Sequence, residues 1–119
     1  MDPASVMAAI DADARALDVA GRELGAAIKV LQGRELAYEE VHQKTLLAIY
    51  HEHKESGERL PAEELRRALA HQRMDRHIYA HFLEAKAQVN ALQAYIGTLK
   101  ASVSARQSLL SALRTEAMV

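Results

Sequence analysis

From Phe82 to Leu113 one line of residues runs at alternating spacings of three and four without a slip. It passes through Phe82, Ala85, Val89, Leu92, Ile96, Leu99, Val103, Arg106, Leu110 and Leu113. A strand repeats every two residues, so this spacing excludes a sheet and fits an α-helix with one covered stripe. Sustained for this length it predicts coiled-coil packing, and a seven-residue repeat predicts a left-handed supercoil. Carried backwards, the same line meets Ile78, Asp75, His71 and Ala68.

The first half carries a second heptad line, Ile10, Leu17, Leu24, Leu31 and Tyr38, with Ala14, Gly21, Ile28, Glu35 and His42 as its expected companions. Small companions would let two helix backbones approach closely, and that packing would offset the cost of Gly21, Gly25 and Gly33, up to about 1 kcal/mol each relative to alanine. Prolines occur only at 3 and 61, each where a helix can begin, and Asp2 stands in an N-cap position. Between them the one strong break is HKESGERLP, which combines Ser56, Gly57 and Pro61. The expectation is all-α: a single domain over 1–119, with helices over 3–55 and 61–116 joined by a turn at 56–60. Each helix would be about 80 Å long. A short turn makes such helices antiparallel, setting Leu24 against Leu92, Leu17 against Leu99 and Leu31 against Ala85.

The surface composition asks for more than a lone hairpin. Half of the residues are apolar, but only five are aromatic and alanine is abundant. From Ala85 to Thr115 the charged residues are Lys86, Lys100, Arg106 and Arg114 alone. A helix so poor in charge is usually covered on more than one side. This predicts a homo-oligomer, with two hairpins closing into a four-helix bundle under two-fold symmetry. Residues 1–59 carry a net −4 and residues 60–119 a net +3, which suits an acidic and a basic helix lying together. No cysteine is present, so thiolate chemistry and disulfides are excluded, and a reducing cytoplasm is the expected compartment. The N-terminus is acidic where a signal peptide is basic, and no apolar run reaches the ~18 residues of a membrane span.

Three groups of residues are candidate sites. In HQRMDRHIYAHF, His77 and His81 stand four apart with Glu84 beyond them, a spacing that suits a helical metal site, with His42 or Glu35 as further ligands. No general base lies between the two histidines, and the plain alternative is a solvated helix face. His71, Asp75 and Arg106 fall in the apolar line, where polar residues pin register. Arg106 should meet Asp11 or Asp13, His71 should meet Thr45, and Asp75 should meet His42 or Val41. A His42–Asp75 contact would also offer a proton-linked switch. Arg66, Arg67, Arg73 and Arg76 concentrate basic charge near the turn, with Tyr50, Tyr79 and His77 able to stack on bases. Glu52, Glu63, Glu64 and Asp75 dilute that charge. No phosphate loop, dinucleotide fingerprint or nucleophile elbow is present, so no enzyme, cofactor or small-molecule substrate is expected.

The stretch EAKAQVNALQAYIGTLKASVSARQSLLSALRTE, residues 84–116, resembles the C-terminal helix of small helical-hairpin accessory proteins of tailed bacteriophages. The likeness is carried by Leu92, Ile96, Leu99, Gln107, Ser108, Leu109 and Leu110 and covers the last third of the chain. It implies a phage accessory factor of the host cytoplasm that acts by binding. Three roles then follow as expectations: a self-associating, non-catalytic coiled coil that docks a protein partner; a nucleic-acid accessory in recombination or replication using the arginines; or a virion structural or assembly protein.

Overall fold

The computed structural model describes residues 2–118, and among them the chain is all-α, with no strand. Helix α1 spans Pro3–Ser56, α2 spans Glu63–Arg73 and α3 spans Arg76–Met118. The start of α1 follows from its first residues. The Asp2 carboxylate accepts the Ala4 amide at 3.2 Å, and Pro3 occupies a helical position that needs no N–H. Its end follows from Gly57, whose φ of +71° lies in the left-handed region that glycine adopts without steric cost. Ser56 secures the turn by donating to the His53 carbonyl at 3.2 Å and accepting the Glu58 amide at 3.3 Å.

The single second helix expected over 61–116 is two helices, starting at Glu63 and at Arg76. Met74 leaves the helix with φ −69° and ψ 154°, while its amide still reaches the Ala70 and His71 carbonyls. Asp75 then starts α3. Its Oδ1 accepts the His77 amide at 2.9 Å and its carbonyl accepts the Ile78 amide at 3.2 Å. That is N-cap chemistry, in which a short carboxylate satisfies an amide that the first turn leaves unpaired. Asp75 is therefore a helix cap and not the register pin expected of it. Glu63 and Glu64 give α2 acidic residues in its first turn, where they favour the positive end of the helix dipole.

The chain divides into two compact units. The first joins residues up to Ile28 with residues from Ala87, so it pairs the N-terminal half of α1 with most of α3. Its core is Val6, Ala20, Val89, Leu92 and Leu99, all buried. Two hydrogen-bonded pairs show that these segments are antiparallel. Ser102 donates to Asp13 at 3.0 Å, and Arg106 donates to the Ala9 carbonyl at 3.3 Å. Both pairs fall within one residue of the register read from the heptads. The second unit, Lys29–Lys86, holds the C-terminal half of α1, all of α2 and the first turns of α3. Its core is Ile49, Ala70, Met74 and Ala85, and the Ile49 side chain is fully enclosed.

The seam of α1 departs from the sequence reading in one respect. Ile10, Leu17, Leu24, Leu31 and Tyr38 are half-buried, as a seam requires, but in its N-terminal part the companion line runs one residue earlier than expected. Val6, Asp13 and Ala20 take that place while Ala14 and Gly21 are exposed; further along, Ile28 and His42 are half-buried as expected and Glu35 is exposed. A Cβ added at Gly21, Gly25 or Gly33 would meet nothing within 4 Å. Glycine therefore gives no close approach inside the chain, and the helical cost of these residues is not offset there. On α3, Phe82, Ile96, Val103, Arg106, Leu110 and Leu113 are half-buried beside the buried Ala85, Val89, Leu92 and Leu99.

Candidate interaction surfaces

In the first unit the polar centre is Asp13. Its carboxylate, largely buried, takes an ion pair from Arg106 and a hydrogen bond from Ser102. Arg106 also reaches the Ala9 carbonyl, so one guanidinium joins two groups on α1. Arg106 Nη1 thus serves two acceptors and Asp13 Oδ2 takes two donors, the kind of pairing that a half-buried charge needs. Of the three expected register pins, Arg106 is the one seated in the seam against its expected partner. Sequence reasoning found that pair through the heptad register alone.

The exposed face of α3 in the first unit is poor in charge and rich in small residues. On α3 the exposed positions between Ala87 and Ala112 include Ala91, Ala94, Gly97, Ala101, Ala105 and Ala112. Large apolar side chains stand beside them: Tyr95 is 50% exposed, Val19 of α1 49% and Leu109 38%. A concavity of about 390 Å³ lies between Val19 and Tyr95, lined also by Arg15, Ala16, Ala20 and Glu23. Towards the other end, Met7, Ile10, Leu110 and Met118 line an apolar groove of about 470 Å³ with Asp11 and Arg114 at its rim.

In the second unit, sequence reasoning missed an aromatic cluster. Tyr38 stacks on Phe82 at 5.5 Å between ring centres and on His42 at 5.7 Å. His71 stands edge-on to Tyr79 at 4.4 Å, and its Nδ1 lies 3.4 Å from the Tyr38 hydroxyl. His71 thus meets Tyr38 and Tyr79 in place of the expected Thr45, whose hydroxyl donates instead to the Val41 carbonyl. The signal was present in the sequence: Tyr38, His71, Ile78 and Phe82 lie on the same seam lines. The helix break then turns Tyr79 into the cluster. Burial raises the Tyr38 phenol above its ordinary pKa, and the nearby Tyr79 hydroxyl adds to the rise.

The structure does not gather the histidines into a metal centre. His77 and His81 are 6.3 Å apart between ring centres, and the His81 Nδ1 faces Arg34 at 3.4 Å. Among the described residues no group of three His, Cys, Asp or Glu side chains is placed to hold a metal, Glu84 included. His42 is taken up by its stack on Tyr38.

The arginine group is partly neutralised by its own neighbours. Arg73 Nη1 donates to both Glu52 carboxylate oxygens at 2.9 and 3.0 Å, and Arg67 pairs with Glu63 at 2.7 Å. Arg66 is half-buried beside Gln43 and Leu46, with its Nε lacking a hydrogen-bond partner. Arg76 is exposed at the first position of α3. A polyanion would have to displace two carboxylates to use the cluster as one surface.

No helix of the described residues is long and apolar enough to cross a membrane. Comparison with known proteins gives no match to a family model, to a curated protein or to a solved structure.

Proposed function

We propose that the protein is a non-catalytic, self-associating helical interaction module, a cytoplasmic accessory factor of the kind that its likeness to tailed-phage helical proteins implies. The observation that carries this reading is uncovered apolar surface. Tyr95 and Leu109 of the charge-poor α3 are 50% and 38% exposed, and Val19 of α1 in the same unit is 49% exposed. Alanines and other uncharged residues make up most of the exposed α3 positions around them, where water is a poor partner and another helix is a good one. Two copies of the first unit would supply four helices and one shared core, which agrees with the bundle expected from the undercharged α3. A further protein partner would then dock on the assembled module.

The carboxylates on Arg67 and Arg73 weigh against the nucleic-acid reading. Sedimentation equilibrium on the purified chain at micromolar concentration tests the proposal. The expected result is a mass that is a multiple of 13.1 kDa. A monomer at all concentrations up to about 100 μM, where even a weak dimer would form, overturns it.

A further inference from the structure

Two rows of α1 cross at Val19. Ala12, Val19 and Ala26 recur every seven residues, and Arg15, Val19 and Glu23 every four. Together they make one exposed ridge beside Tyr95 of α3. Arg15 and Glu23 take no part in the ion pairs formed among the described residues. Along their own helix they stand about 12 Å apart, beyond each other's reach.

This ridge is complementary to itself when reversed. A two-fold axis through Val19, perpendicular to α1, places Arg15 of one copy against Glu23 of the other and Ala12 against Ala26. A parallel arrangement would set Arg15 against Arg15 and Glu23 against Glu23. We propose that a second copy of the chain docks here, α1 antiparallel to α1, with Val19 at the centre, Tyr95 flanking it and two Arg15–Glu23 pairs closing the rim. This inference deepens the self-association proposed above and rests on it.

Three physical arguments select this face. Alanines on both sides of Val19 leave room for helix axes about 8 Å apart, the lower end of the usual packing distance. Arg15 and Glu23, which form no ion pair among the described residues, are the charges that the dyad joins, and an isologous contact must be built from such self-matching pairs. The burial required is also at hand. Val19 and Tyr95 are 49% and 50% exposed and line a concavity of about 390 Å³ that a second copy would fill, and a standard interface takes about 800 Å² from each partner. The opposite side of the unit is a poorer choice. It presents Gly21, Gly25 and Gly97, which offer no side chain to bury, and its Asp18 is already paired with Arg22.

The chain has no cysteine, so a single introduced thiol reports on its own position. Under mild oxidation, Val19→Cys should give a covalent dimer rapidly, and Asp11→Cys, placed off the ridge, should not. Arg15→Glu should weaken dimerisation about tenfold, because symmetry counts the lost pair twice, and adding Glu23→Arg to the same chain should restore it to within about threefold. All variants lie on an exposed helix face, and far-UV circular dichroism confirms that they fold. A dimer in which Val19→Cys crosslinks no faster than Asp11→Cys, or in which the two charge reversals simply add, overturns this interface and leaves self-association standing. A chain that sediments as a monomer overturns both.

Discussion

Asp75 offers the sharpest test of why the second half of the chain is two helices. The segment AHQRMDR contains neither glycine nor proline, so no backbone constraint forces a break there. The break rests instead on the 2.9 Å hydrogen bond from the His77 amide to the Asp75 carboxylate and on the buried Met74 side chain. Asp75→Ala removes the cap, at a cost of about 1 kcal/mol. Unfolding entropy near 2.1 cal/mol/K per residue gives about 0.25 kcal/mol/K for a chain this long, so Tm should fall by about 4 °C. Asp75→Asn keeps an acceptor and loses only the charge near the helix N-terminus, so its shift should stay near 1–2 °C at about 0.3–0.5 kcal/mol. Alanine also favours fusing α2 with α3. That gain is about 0.5 kcal/mol per residue at most, whereas withdrawing Met74 from the core would cost about 1.5–3 kcal/mol. The break should therefore persist in the variant, frayed but in place. Melting followed at 222 nm by circular dichroism, at a fixed protein concentration because self-association would shift Tm, reads the global effect. Amide exchange reads the local one, with His77 and Ile78 losing protection while the middle of α3 does not. Equal Tm shifts for the alanine and asparagine variants, or unchanged exchange at His77, would refute the capping argument.

Two further outcomes are expected. Gly21→Ala and Gly25→Ala should each raise Tm by about 2–4 °C, because helical glycine costs 0.5–1 kcal/mol relative to alanine and a Cβ at either site meets open space; they should also leave dimerisation unchanged, and weaker dimerisation would move the interface to that face. The raised Tyr38 pKa predicts a stability loss at high pH. The folded state holds the phenol neutral by burial, so the unfolded chain loses that proton first. The contribution is intact below the unfolded value of about 10 and disappears as pH rises from there through the folded value. Denaturant unfolding at about pH 9 and about pH 11 should show this fall, and Tyr38→Phe should reduce it.

The parts of the fold that could be read from the sequence are those in which large apolar residues carry the period. On α3, Val89, Leu92, Ile96 and Leu99 leave no other line to choose, and the structure buries or half-buries each one. On α1 the leucines fix one line only. Its companion can follow at plus three or plus four: Asp13, Ala20 and Ala27 or Ala14, Gly21 and Ile28. Apolarity favours the second set, but the structure turns Asp13 and Ala20 inward, leaves Ala14 and Gly21 exposed, and half-buries both Ala27 and Ile28. The ion pair of Asp13 with Arg106 supplies what the alanines lack in bulk. The same ambiguity explains Asp75. A carboxylate on an apolar line reads equally as a register pin and as a cap, and only the extended Met74 before it separates the two.

That distinction changes the meaning of HQRMDRHIYAHF. A continuous helix would carry His71, Asp75, Ile78 and Phe82 down one seam. With the chain broken at Met74, His71 ends α2 while Tyr79 and Phe82 begin α3, and Tyr38 lies against all three. The histidine-rich stretch is therefore a joint, in which aromatic rings fill the gap left by two short helix ends. Three of its polar side chains are taken up at that joint: Asp75 by the cap, Arg73 by Glu52 and His81 by Arg34. The proposed docking surface lies in the other unit, on α1 beside the alanine-rich and charge-poor α3. There the unmatched Arg15 and Glu23 stand on either side of Val19, which is why the search for a partner belongs on α1 and not at the histidines.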